Sequence, residues 1–114
     1  MRAAIRRPVS LRVRVLLGGG VVLDGRTHDL STGGVGMLLQ RPLVPNSMVQ
    51  VAIQLPNPKE PGQFDVITGS GKVVFQVLRG DDYQIGLQWM NLDSKTQGLL
   101  QTFVNHISKT TPKI

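Results

Sequence analysis

Two groups of residues have the types and spacing to do chemistry. The first is Asp29-Leu30-Ser31-Thr32-Gly33-Gly34-Val35-Gly36, a D-x-S-x-x-G pattern between the apolar runs Val21-Val22-Leu23 and Met37-Leu38-Leu39. Asp and Ser side chains bond nearby backbone N–H groups, and Gly admits positive φ. Alone, the pattern therefore reads as a tight connection between strands. The second is Arg2-Ala3-Ala4-Ile5-Arg6, an R-x-x-x-R that continues through Arg7, Pro8, Arg12 and Arg14 into an alternating segment. Arginine presents a planar fork that matches phosphate oxygens and the acceptor edge of guanine.

Composition removes several other chemistries. There is no cysteine, so disulfides, thiolate metal sites and Cys nucleophiles are excluded. His28 and His106 stand far apart without ligand spacing, and the acids form no paired-carboxylate motif, which argues against an enzyme. The net charge is +6 from 13 basic and 7 acidic residues. Arg2, Arg6, Arg7, Arg12 and Arg14 all fall in the first fourteen residues with no acid among them. Such a run reads either as a solvated basic tail or as an arm for phosphates. One Trp, one Tyr and three Phe are too few for a regular base-stacking platform, which disfavours nucleic acid as the partner. No apolar run approaches the roughly 20 residues of a membrane span, and no secretory signal is visible, so a cytoplasmic location is expected.

The remaining elements must position these residues. A length of 114 residues suits one domain with a single core. Residues 1–8 read as an irregular basic arm, with Pro8 biasing Arg7 to an extended conformation. Residues 9–110 read as the folded domain. Val9, Leu11, Val13 and Val15 alternate with Ser10, Arg12 and Arg14, a half-buried strand that turns the two arginines outward to solvent. Gly18-Gly19-Gly20 reads as a flexible hairpin turn. Asp24-Gly25 suggests a bulge in the second strand, over residues 21–29. Val35–Leu39, Met48–Leu55, a long strand from Phe64 to Val77 interrupted at Gly69-Ser70-Gly71, and Tyr83–Met90 complete the strands. Prolines in the 40–47 and 56–62 segments mark loops, and His28 receives no role. The period then changes: Leu99, Leu100, Phe103, Val104 and Ile107 recur at helical spacing after Asp93 or Ser94 as cap, predicting a helix at about 93–108. About six short antiparallel strands and a terminal helix predict a mainly β fold, a closed barrel.

R-x-x-x-R, a spacer and D-x-S-x-x-G, in this order and in a chain of this length, resemble the PilZ family of bacterial cyclic di-GMP receptors. The Tyr83-Gln84-Ile85-Gly86-Leu87-Gln88-Trp89 strand and the Asn91-Leu92-Asp93-Ser94 step into the helix also look like the family's ending, so the resemblance covers nearly the whole chain. It implies a six-stranded antiparallel PilZ-like β-barrel with a C-terminal α-helix, no catalysis and no cofactor. Cyclic di-GMP would be the ligand, with Arg2 and Arg6 on guanine and phosphate and Arg7 as a third contributor outside the motif proper. Asp29, Ser31 and Gly34 carry over by motif match: a carboxylate complements the donors of guanine, a hydroxyl donates or accepts, and glycine permits close approach.

The implied function is a non-catalytic receptor or adaptor. Its N-terminal arm would order on ligand binding and signal to an effector protein, with motility, biofilm or a related process as output. The alternative is a PilZ-like interaction module with weak or no nucleotide binding. The first motif arginine is residue 2, which leaves action on a separate protein, reduced affinity or a longer parent chain as alternatives.

Overall fold

The barrel wall follows from strands whose apolar residues recur at every second position. The computed structural model describes residues 7–110, with side chains to residue 107. In chain order, its strands are β1 (Arg7–Pro8), β2 (Arg12–Leu16), β3 (Val22–Leu30), β4 (Gly34–Leu39), β5 (Met48–Pro56), β6 (Phe64–Arg79) and β7 (Asp82–Met90), followed by helix α1 (Ser94–Thr110). The sheet order is β1-β3-β2-β5-β6-β7-β4, and a further β3–β4 pairing closes it. Strands β2–β7 thus form a six-stranded closed antiparallel barrel, with β1 as an extra short strand on β3. Closure removes the free edges that invite association.

The expected alternation builds the interior. Val13 and Val15, then Val49, Val51, Ile53 and Leu55, then Ile85, Leu87 and Trp89, all point inward and are buried. Arg12 and Arg14 are exposed on the outer face, and Arg14 Nε donates to Asp24 Oδ1 at 3.0 Å. Helix α1 covers one barrel opening with Leu100, Phe103 and Val104 buried. Asp93 is its cap: Oδ1 accepts from the Thr96 N–H at 2.7 Å, and this backbone bond, with a second from the Thr96 hydroxyl, holds the Asp93 carboxyl below its usual range. Among the described residues, no helix is long and apolar enough to cross a membrane.

Three local expectations are corrected. Asp24 and Gly25 lie in regular register opposite Arg14 and Val13; the bulge in β3 lies instead at His28, between Thr27 and Asp29. Strand β6 runs unbroken through Gly69-Ser70-Gly71, which pair with Val51, Gln50 and Val49. A Cβ on Gly69 would lie 2.4 Å from Leu92 Cδ2, so glycine here answers crowding rather than a turn. Gly18–Gly20, read as a hairpin turn, do join the antiparallel strands β2 and β3, through a 3-10 turn.

The third correction concerns the arm. Arg7 and Pro8 are not irregular: they pair with Leu30 and Asp29 of β3. Between β1 and β2, the buried Thr27 hydroxyl substitutes for a ladder. It accepts from the Leu11 N–H at 2.8 Å and donates to the Val9 carbonyl, while the Val9 N–H reaches the His28 carbonyl at 3.2 Å. Residues 7–16 thus run along β3 as one strand interrupted at a side-chain bridge.

Candidate functional site

The bulge decides where Asp29 points. On β3, Arg26 and Thr27 pair with Leu38 and Met37 of β4; after one extra residue, Asp29 and Leu30 pair with Gly36 and Val35. Thr27 and Leu30 are therefore both buried, although three positions apart. Strict alternation would have put Asp29 on the inner face with Thr27. Instead His28 and Asp29 both face outward, and His28 Nδ1 lies 3.1 Å from Asp29 Oδ2. The Asp29 side chain is only 16% exposed. It lies across Gly36, where a Cβ would be 2.7 Å from Oδ2 and 3.0 Å from Cγ.

Ser31 and Gly34 build the turn that follows. The Ser31 hydroxyl accepts from the Gly33 and Gly34 N–H groups at 3.1 Å each, and the Ser31 N–H donates to the Gly34 carbonyl at 3.0 Å. Trp89 of β7 fastens the turn to the barrel. Its indole N–H donates to the Ser31 carbonyl, and its backbone N–H donates to the Gly33 carbonyl, both at 3.1 Å. A Cβ on Gly34 would lie 2.3 Å from the Leu87 carbonyl oxygen, so no side chain fits there. Both motif positions thus have a local duty that the fold itself requires.

Strand β1 lies beside the second motif. Pro8 lies opposite Asp29 and Arg7 opposite Leu30, so the end of the arginine segment runs beside the acidic motif. The Arg7 Nε is buried without a hydrogen-bond partner. Arg2 and Arg6 lie outside the described residues. Arg26 is tied down on the outer face by bonds to the Ser10 hydroxyl and carbonyl oxygens, both at 3.0 Å.

A row of residues crosses the barrel wall from Asp29. Gly36 pairs with Asp29 and with Gly86 of β7, and Gly86 pairs with Phe75 of β6. A second bulge at Val74 turns Val74 and Phe75 outward together, leaving Phe75 49% exposed. The Phe75 side chain lies beside Gly86, with its Cβ 3.3 Å from where a Gly86 Cβ would sit. Three strand spacings separate Asp29 from Phe75, about 14 Å. The result is a shallow floor of two glycines with a carboxylate at one end and an aromatic face at the other. His28, Gly36, Gly86 and Phe75 were missed at the sequence level. Glycines in the middle of two apolar strands were the available signal, since such glycines mark close approach. Among the described residues, no three His, Cys, Asp or Glu side chains converge as a metal site would require.

The PilZ domain model matches residues 1–106. The barrel superimposes on the Bacillus subtilis inhibitor of motility MotI/DgrA with a TM-score of 0.81 at 16% identity, covering 98% of this chain and 54% of that one. This chain therefore spans about half the length of MotI. The PilZ domain of Escherichia coli YcgR, solved with c-di-GMP, matches with a TM-score of 0.74 at 17% identity, covering 95% of this chain and 92% of that one. The K. pneumonia MrkH–c-di-GMP complex matches at 0.74 and 15% identity, covering 96% and 53%. No curated protein matches the sequence. With both motifs, the closed barrel and a family match over almost the whole chain, the protein belongs to the PilZ domain family.

Proposed function

We propose that this chain is a non-catalytic cyclic di-GMP receptor that acts in the cytoplasm on an effector protein. The observation that carries the proposal is the outward Asp29 carboxylate with β1 directly beside it. The outer face thus offers an acceptor for guanine N1–H and N2–H₂, and the strand that ends the arginine-rich segment runs directly beside it. In this reading Arg2 and Arg6 take the phosphates and the acceptor edges of guanine, and Arg7 supports them from β1. Ser31 and Gly34 act through the turn that presents Asp29. Phe75 offers an apolar face for a base. The c-di-GMP held by the PilZ domain of YcgR and by MrkH supports the choice of ligand.

Ligand contacts from Arg2 and Arg6 would draw the arm ahead of β1 onto the outer wall, extending the β1–β3 side of the barrel. The ordered arm would then be the surface that an effector reads. The name of MotI, an inhibitor of motility, supports motility as one output.

The test is titration calorimetry with cyclic di-GMP against GMP, on the native chain and on Arg6→Ala. Selective binding that falls at least about tenfold in the variant supports the receptor, since a charged contact of this kind contributes about 1.5–3 kcal/mol. Absence of heat with the native chain refutes it. A second reading, an interaction module with little nucleotide affinity, is favoured by one observation: Ser31 and Gly34 are both required by the turn, so D-x-S-x-x-G does not by itself demand a ligand. That reading predicts partner binding that survives Arg6→Ala.

A further inference from the structure

The segment Leu16-Leu17-Gly18-Gly19-Gly20-Val21-Val22-Leu23 has no polar side chain, yet it forms a hairpin tip. Such tips ordinarily carry Asn, Asp or Ser, because their backbone meets water. Here Leu17 and Leu23 pack toward the core, while Leu16, Val21 and Val22 stay 41–47% exposed. Neighbouring segments continue the apolar surface. Val44, in the loop after β4, is 70% exposed, and Met48, the first residue of β5, is 52% exposed. A groove of about 640 Å³ runs between the hairpin and that loop, and among the described residues lining it Arg41 alone is charged. Arg14 and Asp24, the next outward pair behind the tip, neutralise each other at 3.0 Å. The acids of the β6–β7 turn, Asp81 and Asp82, lie across the barrel end, with β4 and β5 between their strands and the tip. Strand β5 runs from this rim at Met48 to the helix-covered opening at Leu55, so the tip stands at the barrel end opposite α1.

We propose that this tip docks on an anionic lipid surface, entering the interface without spanning the bilayer. Exposed apolar area shared by three chain segments marks a contact surface. Its chemistry selects the occupant. Leu, Val and Gly at the tip offer no aromatic ring and no donor or acceptor beyond the backbone, which gives a protein partner little to recognise. A lipid interface asks only for apolar area beside positive charge. Arg41 at the groove and a chain of net charge +6 supply that charge. A second copy would bring the same +6 against it. The backbone sets the depth. The Leu17 N–H donates to the Val21 carbonyl at 2.8 Å, but a three-residue turn cannot bond all its peptides internally, so the tip stops where water still reaches it. Asp29 lies about 23 Å further along β3 than Val22, at about 3.3 Å per residue, so docking leaves the wall that carries Asp29 open.

The experiment is co-sedimentation of the native chain with vesicles of phosphatidylglycerol and phosphatidylcholine, and with vesicles of phosphatidylcholine alone. The variants are Val22→Ser/Val44→Ser, which removes apolar area without changing charge, and Arg41→Ala. The native chain should bind the anionic vesicles and leave the neutral ones. The double Ser variant should bind about tenfold more weakly, and Arg41→Ala about fivefold. Because the chain has no cysteine, an environment-sensitive fluorophore on Val21→Cys reads the tip alone, and its emission should shift to the blue on anionic vesicles. Absence of vesicle binding, equal binding to both vesicles, or an unshifted fluorophore overturns the proposal. So does anionic binding that the double Ser variant keeps in full, since the arginine segment would then carry it by charge alone. Sedimentation velocity tests the rival occupant: a native dimer that the double Ser variant dissociates makes the tip an interface between copies and overturns the lipid reading. Titration with cyclic di-GMP should be unchanged in the double Ser variant, so failure here leaves the receptor standing.

Discussion

Gly36→Ala separates the fold from the site. A Cβ at residue 36 would stand 2.7 Å from Asp29 Oδ2 and 3.0 Å from both Cγ and Oδ1. The backbone can stay in place because the obstacle is the end of a side chain. The carboxylate must swing away, giving up its contact with His28 and its aim along the outer wall. Two stability effects then oppose each other. Alanine in a strand recovers about 0.5–1 kcal/mol relative to glycine. A lost, partly exposed hydrogen bond costs about 0.5–1.5 kcal/mol. Urea denaturation followed by Trp89 fluorescence should therefore show a net change within about 1 kcal/mol. Binding has no such compensation. Loss of a charge-assisted bond worth about 1.5–3 kcal/mol weakens cyclic di-GMP affinity about tenfold to a hundredfold.

Gly34→Ala provides the contrast, because its Cβ meets the Leu87 carbonyl oxygen at 2.3 Å, an obstacle of backbone that must move. It should lose at least about 1–3 kcal/mol of stability. The reasoning fails if Gly36→Ala binds with native affinity, since the carboxylate above residue 36 would then not read the ligand. It fails equally if the two variants lose the same stability, since Asp29 would then be held as rigidly as the backbone.

Thr27→Val removes the hydroxyl that serves the Leu11 N–H and the Val9 carbonyl at the gap between β1 and β2. Two backbone groups lose their partner at a buried position, so urea denaturation should show a loss of about 1–3 kcal/mol. Asp93→Ala removes the helix cap, and its effect depends on pH. The folded-state pKa of Asp93 is lowered, chiefly by the Thr96 backbone N–H, so its contribution is complete above the unfolded-state pKa and fades as pH falls through the folded one. The stability gap between the native chain and Asp93→Ala, measured by thermal melts across the acid range, should be full at neutral pH and close toward strongly acidic pH.

Particular residues show what a single chain could reveal. Val49, Val51, Ile53 and Leu55 alternate without interruption and are buried as that pattern requires. Leu100, Phe103 and Val104 recur at helical spacing and cover the barrel opening. Asp24-Gly25 and Gly69-Ser70-Gly71 misled, because a glycine that accommodates a neighbouring strand or side chain is written in the same letter as one that makes a bulge or a turn. Arg7 and Pro8 read as part of an irregular arm because two residues carry no periodicity of their own, and their partners on β3 are distant in the chain. Arg2 and Arg6, named from the sequence as ligand contacts, lie outside the described residues.

The strands of the barrel and the terminal helix were legible in the amino-acid order, since alternation, helical spacing and turn chemistry act over a few residues, and the two motifs together carried the resemblance to the family. Only the tertiary structure decided which way Asp29 faces. That direction depends on an extra residue in β3, and where it falls is settled by register with β4, not by the letters around it. The same strand pairing placed β1 beside Asp29, gave Ser31 and Gly34 their duties in the turn, and aligned Asp29, Gly36, Gly86 and Phe75 across four strands. Local forces select the strands; the pairing that joins residues far apart in the chain sets register, and register determines which side chains share a face.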